Sequence, residues 1–135
     1  MSESIKLSAV VPATPQRVYE AWMSSKEHAS FTGGAAVITA RAGGKFTAWD
    51  GYILGVTEAL EPGKRIVQSW RSTDFPADAP DSRLEVLLEP SPRGTRVTLL
   101  HTNIPDGQAE ELKQGWKDYY FTPMKTYFAP RKSPA

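Results

Sequence analysis

The two imidazoles of the chain, His28 and His101, are the first places to look for chemistry, and there is no cysteine beside them. A catalytic triad needs a nucleophile, a base and an orienting acid within hydrogen-bond reach of one another. No Gly-x-Ser-x-Gly turn and no thiol offers the nucleophile. His101 falls at a strand end on the inner face, where it either touches a ligand or serves as a hydrogen-bonded structural group. His28, on a short polar helix, is expected to be exposed. Neither fits H-x-x-H or H-E-x-x-H spacing, so no metal site is expected. Among the carboxylates, Asp50 reads as a turn residue and Glu85 and Glu89 as outward-facing strand residues. Glu58, beside Ala59 and Leu60, would have a raised pKa if it pointed inward unpaired. Gly33-Gly34 and Gly43-Gly44 do not fit the phosphate-cradle pattern and read as turns. The chain is therefore expected to be no enzyme and to need no cofactor.

The aromatic residues carry the stronger signal. Trp70 on a strand and Trp116, Tyr119 and Tyr120 on a helix are placed to converge. Each such side chain buries roughly 150–250 Å². They form either a filled core or an apolar pocket whose polar groups are the Tyr hydroxyls, Gln68 and His101.

These residues are positioned by one long helix read over Asp106–Phe128. Leu112, Trp116, Tyr119, Pro123 and Tyr127 recur at three- and four-residue spacing and share a face. Asp106 reads as its N-cap, with Glu110 and Glu111 at the positive end of the dipole. Gly115 suits a close approach to a bulky neighbour such as Trp70. Pro123 removes a helical hydrogen bond and predicts a kink near Tyr119–Thr122. The preceding hundred residues read mostly as strands. Ile5, Leu7, Ala9 and Val11 alternate in the first. Thr14 before Pro15 opens a short helix ending near Ser24, and Ser25–Phe31 reads as a second. Strands follow at Ala35–Thr39, Lys45–Trp49, Tyr52–Leu60, Arg65–Arg71, Arg83–Glu89 and Thr95–Thr102, with Asp50-Gly51 as a hairpin turn. In Arg83–Glu89 the alternation sets Leu84, Val86 and Leu88 against Arg83, Glu85 and Glu89. The fold class is α+β, with helices gathered on one face of a curved antiparallel sheet of about six or seven strands.

A chain of 135 residues suggests one domain, read as residues 1–128 with a flexible tail at 129–135. A net charge of +1 gives no electrostatic case for nucleic acid or an anionic membrane. Met1–Val11 has no apolar run of the signal-peptide kind, and no stretch approaches the roughly 18 apolar residues of a membrane helix. A cytoplasmic protein of undetermined oligomeric state is expected.

The order of elements, closed by the long helix, looks like the helix-grip fold of the START-like superfamily. Local sequence narrows it. Gly43-Gly44-Lys45-Phe46, Trp49-Asp50-Gly51, Gly55, Pro62–Ile66 and Trp70-Arg71 together resemble the C-terminal domain family of the activator of heat shock protein 90 ATPase. So does His101-Thr102-Asn103-Ile104-Pro105, followed by Gly115-Trp116, Tyr119-Tyr120-Phe121 and Pro123-Met124-Lys125. The resemblance runs from about Ile5 to Phe128. It implies a co-chaperone relationship, because eukaryotic members are co-chaperones, although in them a separate N-terminal domain contributes strongly to chaperone binding. The wider superfamily implies binding of small apolar ligands.

Two functions are carried forward. One is a small apolar ligand in a cavity under the C-terminal helix, lined by Trp70, Leu84, Val86, Leu99, His101, Trp116, Tyr119, Tyr120 and Met124. The other is binding and stimulation of a chaperone ATPase through Lys113, Lys117 and Lys125 or the Ser72–Pro80 loop.

Overall fold

The Leu84, Val86, Leu88 face is buried, while Arg83 and Glu89 are exposed and Glu85 is half-buried in ion pairs with Arg65 and Arg83, so the alternating pattern sets the register of the central strand as expected. The computed structural model describes residues 2–129, and the residues from 130 onward of the expected tail lie outside it. Seven strands form one curved, unclosed antiparallel sheet: β1 (Ser2–Val11), β2 (Val37–Ile38), β3 (Lys45–Ala48), β4 (Ile53–Glu61), β5 (Arg65–Ser72), β6 (Ser82–Ser91) and β7 (Gly94–Pro105). Their order across the sheet is β1-β7-β6-β5-β4-β3-β2. All but one neighbour is the next strand in sequence. The exception is β1, which crosses to the far edge and pairs with β7. A glycine is required at Gly55, where a Cβ would lie 2.0 Å from the Ser69 carbonyl oxygen and 2.7 Å from the Phe46 ring.

Helix α1 (Pro15–Met23) begins as its sequence directs, with the Thr14 hydroxyl accepting from Arg17 N–H and Pro15 in the first turn. Helix α2 (Ser25–Thr32) is capped by Ser24, which accepts from Glu27 N–H, and ends at Gly33 in the left-handed region. The C-terminal helix comprises α3 (Ala109–Trp116), a π-helical turn at Lys117–Phe121, and α4 (Thr122–Phe128). Pro123 has no N–H to give, and the turn before it widens so that Thr122 N–H reaches Lys117 O. Where a kink is expected near Tyr119–Thr122, the helix carries a π-helical turn at Lys117–Phe121.

The helix does not begin where its sequence suggests. β7 runs on to Pro105, and α3 starts at Ala109 with no side-chain cap of its own. Glu3 on β1 serves the first N–H groups of this turn. Its Oε1 accepts from Gly107 N–H at 3.0 Å and Ala109 N–H at 3.1 Å. The Asp50-Gly51 hairpin is likewise a short 3₁₀ turn at Trp49–Gly51, and β3 stops one residue earlier, at Ala48.

The core lies between the concave face of the sheet and the helices. Ile66, Leu84, Val86, Val97, Leu99 and Met124 are almost fully buried there. α3 and α4 pack on β1, and α1 packs on β6 and β7. Arg17 on α1 grips Glu27 on α2 with both terminal guanidinium nitrogens, and the Tyr127 hydroxyl of α4 donates to the same carboxylate at 2.7 Å. Arg17, first of all through these hydrogen bonds, holds Glu27 below the usual carboxylate range. Among the described residues no helix is long and apolar enough to cross a membrane.

Candidate functional site

Between the C-terminal helix and the β3–β4 end of the sheet a cleft of about 570 Å³ stays open. Its sheet-side wall is Trp49, Tyr52, Ile53 and Trp70, and its helix-side wall is Leu112, Gly115, Trp116, Tyr119 and Tyr120. Tyr119 is 58% exposed and Tyr52 44%, so the mouth is aromatic and wet. Trp49 stands edge-on to Tyr119, ring centroids 5.6 Å apart. Its backbone has φ 53, and Asp50 after it φ 59, a left-handed pair that is unusual for a bulky residue. Gly34 makes room for this arrangement, since a Cβ there would come within 2.7 Å of the Trp49 ring. The widened turn of the helix sets Tyr119 at the mouth and Tyr120 in the interior.

Beneath the cleft the polar groups close on one another. Trp116 Nε1–H donates to His101 Nδ1 at 3.1 Å, which fixes the imidazole proton on Nε2. That nitrogen donates to Ser82 Oγ at 2.7 Å, and Ser82 donates onward to Trp70 O at 2.6 Å. The proton therefore runs from imidazole to hydroxyl, the reverse of the polarity by which a histidine activates a serine nucleophile. Burial pushes His101 down to about 3, so it stays neutral.

His28 overturns its expected exposure. It is 4% exposed. Its Nδ1 donates to Trp22 O at 3.0 Å, and its Nε2 accepts from the Tyr120 hydroxyl at 2.9 Å. The two histidines thus carry their protons on opposite nitrogens. Burial lowers His28 to about 4 and raises the Tyr120 hydroxyl. The polar appearance of Ser25–Thr32 hid this, because the partner hydroxyl arrives from the far end of the chain.

The family model described as activator of Hsp90 ATPase homolog 1-like protein matches residues 12–129. The chain belongs to this family. An activator of 90 kDa heat shock protein ATPase homolog from Dictyostelium discoideum is 26% identical over 129 residues, covering 95% of this chain and 33% of the relative. The human homolog 1 is 28% identical over 124 residues, covering 92% of this chain and 36% of the relative. The chain spans about a third of the length of these curated relatives. A crystal structure of an HSP90 activator from Plasmodium falciparum superposes with a TM-score of 0.81 at 24% identity, covering 98% of this chain and 99% of that one. That likeness concerns the fold, a helix-grip arrangement.

Within this activator-family fold the aromatic and apolar residues singled out by sequence divide in two. Trp70, Trp116, Tyr119 and Tyr120 stand on the cleft wall. Leu84, Val86, Leu99, Met124 and His101 lie in the sealed core, each at most 1% exposed. Gln68 is buried and donates to Thr57 Oγ1 at 3.2 Å, away from the cleft wall. Glu58 faces solvent. Trp49 and Tyr52 are wall residues that sequence reasoning missed. The clue was the run Trp49-Asp50-Gly51-Tyr52, two aromatics around a tight turn that presents both to one side. The Ser72–Pro80 loop is tied down by Arg71, which donates to Ala79 O at 2.7 Å and Pro76 O at 2.8 Å, and its Phe75 is buried. Lys117 and Lys125 are exposed and Lys113 half-buried. Among the described residues no group of His, Asp or Glu is arranged to hold a metal ion.

Proposed function

We propose that the chain is a non-catalytic binding domain whose cleft receives a small, flat, largely apolar molecule. The observation that carries this reading is the open aromatic cleft beside Trp49, Trp70, Trp116 and Tyr119. At about 570 Å³ it falls in the range of roughly 300–1,000 Å³ usual for small-molecule sites. The left-handed Trp49 backbone and the π turn at Tyr119 support it, since such local irregularities gather at functional sites. The non-catalytic part is supported by the direction of the His101–Ser82 hydrogen bond. The test is titration with the neutral fluorophore N-phenyl-1-naphthylamine. Saturable one-to-one binding is expected, weakened about tenfold by Tyr119→Ala through lost ring contact. No saturable binding, or binding indifferent to Tyr119→Ala and Trp49→Ala, removes the reading.

A second reading rests on family membership and on relatives named as Hsp90 ATPase activators. In it the domain binds a chaperone ATPase in the cytoplasm and stimulates it, with Lys117 and Lys125 and the Arg71-pinned loop as the contact surface. ATP turnover by purified Hsp90 should then rise on addition of the chain and fall back with the Lys117→Glu, Lys125→Glu double variant. Turnover that never changes removes this second reading and leaves the first intact.

A further inference from the structure

The cleft has a charge of one sign, and that narrows its occupant. Three of its lining residues are carboxylates, Asp74, Glu111 and Asp118, and none is Lys or Arg. No ion pair among the described residues engages any of the three. The nearby cations are committed elsewhere or lie off the wall. Arg71 is held by the loop carbonyls and Asp81, and Lys113 and Lys117 are not lining residues. Two carboxylates are oriented by neighbours that line the same space. The Tyr52 hydroxyl donates to Asp74 Oδ2, and Gln114 Nε2 donates to Asp118 Oδ1 at 2.9 Å. Each keeps its other oxygen. The aromatic walls supply ring faces, which attract cations through the ring quadrupole.

We propose that the cleft is selective for a flat organic cation, a planar ring system carrying a fixed positive charge, with the ring against Trp49 and Tyr119 and the charge toward Glu111 and Asp118. This rests on the ligand-binding reading above and deepens it. Ring stacking alone would accept any planar molecule. The carboxylates turn that tolerance into a preference, because an anion of the same shape meets like charge and a neutral one gains nothing from them. The preference is expected to shrink with salt, since all three carboxylates are exposed.

The experiment compares three bicyclic probes of similar size by tryptophan quenching in low salt: N-methylquinolinium, quinoline and naphthalene-2-sulfonate. The expected order is cation, neutral, anion, with the cation about tenfold tighter than quinoline. The Glu111→Gln, Asp118→Asn double variant should bring the cation to within about twofold of quinoline while leaving quinoline unchanged, which also shows that the variant is folded. If quinoline binds as tightly as the cation, or the double variant keeps the cation preference, the inference falls while the ligand reading stands. If none of the three binds in a manner sensitive to Tyr119→Ala, both fall.

Discussion

On the side of the C-terminal helix that faces β5 to β7, Trp116 packs on Trp70 and is hydrogen-bonded to the buried His101. On the side that faces β3 and β4, Tyr119 stands edge-on to Trp49 at the mouth of the open cleft. Both sides are aromatic. They differ in where the polar atoms find partners. On the closed side each partner is another buried group: Trp116 to His101, His101 to Ser82, Ser82 to the Trp70 carbonyl. No buried side-chain nitrogen or oxygen among the described residues is left without one. On the open side the partners are rim groups, Asp74 and Asp118, which also face water. A polar chain that closes on itself clamps the helix down. One that ends in solvent leaves room for something else.

The sharpest way to break this contrast is Trp116→Ala. It removes a large buried ring and strips His101 Nδ1 of its donor. It should cost about 3–5 kcal/mol of unfolding free energy, as large aromatic truncations do. A urea titration reading below about 1 kcal/mol would mean that the closed side is not closed.

Acid probes the closed side without mutation. His101 and His28 have pKa values pushed down from the ordinary 6.5 to about 3 and about 4. Below 6.5 the unfolded chain takes up protons that the fold refuses, so their contribution is whole above that pH and is lost as pH falls toward about 4 for His28 and about 3 for His101. Between pH 7 and 5 the loss should be about 2 kcal/mol per histidine. Glu27, held low by Arg17, adds its own loss further down, as pH falls below its ordinary 4.5. Stability that stays level from pH 7 to 5 would show that the imidazoles are solvated.

The smallest expected effect falls on the open side. Tyr119→Ala removes a ring that is 58% exposed, so it should change stability by less than about 1 kcal/mol. A change as large as that of Trp116→Ala would make Tyr119 a core residue and erase the distinction.

How much of this was readable in the sequence follows the range of each interaction. Alternation and capping are local, so the strands, the Thr14 start and the Leu84–Val86–Leu88 face were legible. The irregularity before Pro123 was local too. His28 was misread because its burial depends on Tyr120, and the start of the last helix because its cap is Glu3. Neither partner lies within reach of a periodicity window. The cleft wall was half legible. Trp70, Trp116, Tyr119 and Tyr120 announced themselves by residue type. Trp49 and Tyr52 read as strand ends on either side of the Asp50-Gly51 turn, and the left-handed backbone at Trp49 and Asp50 is what shapes this corner of the cleft.

The placement of β1 has a consequence for the order of events as the chain emerges from the ribosome. β1 is made before the other six strands, yet among the described residues its only strand partner is β7, so that Ile5 waits for His101. The hairpins from β3 to β7 can close in turn as each is delivered, whereas β1 must remain unpaired until the last strand appears. Joining the edges of such distant stretches is the slow, entropically costly part of folding. Glu3 then engages the first turn of α3. Release of the C-terminal helix and docking of the first strand are thereby expected to be one late, concerted step, and a pulse-labelling hydrogen-exchange experiment should find amide protection in β1 and α3 appearing together, after that of β4 to β6.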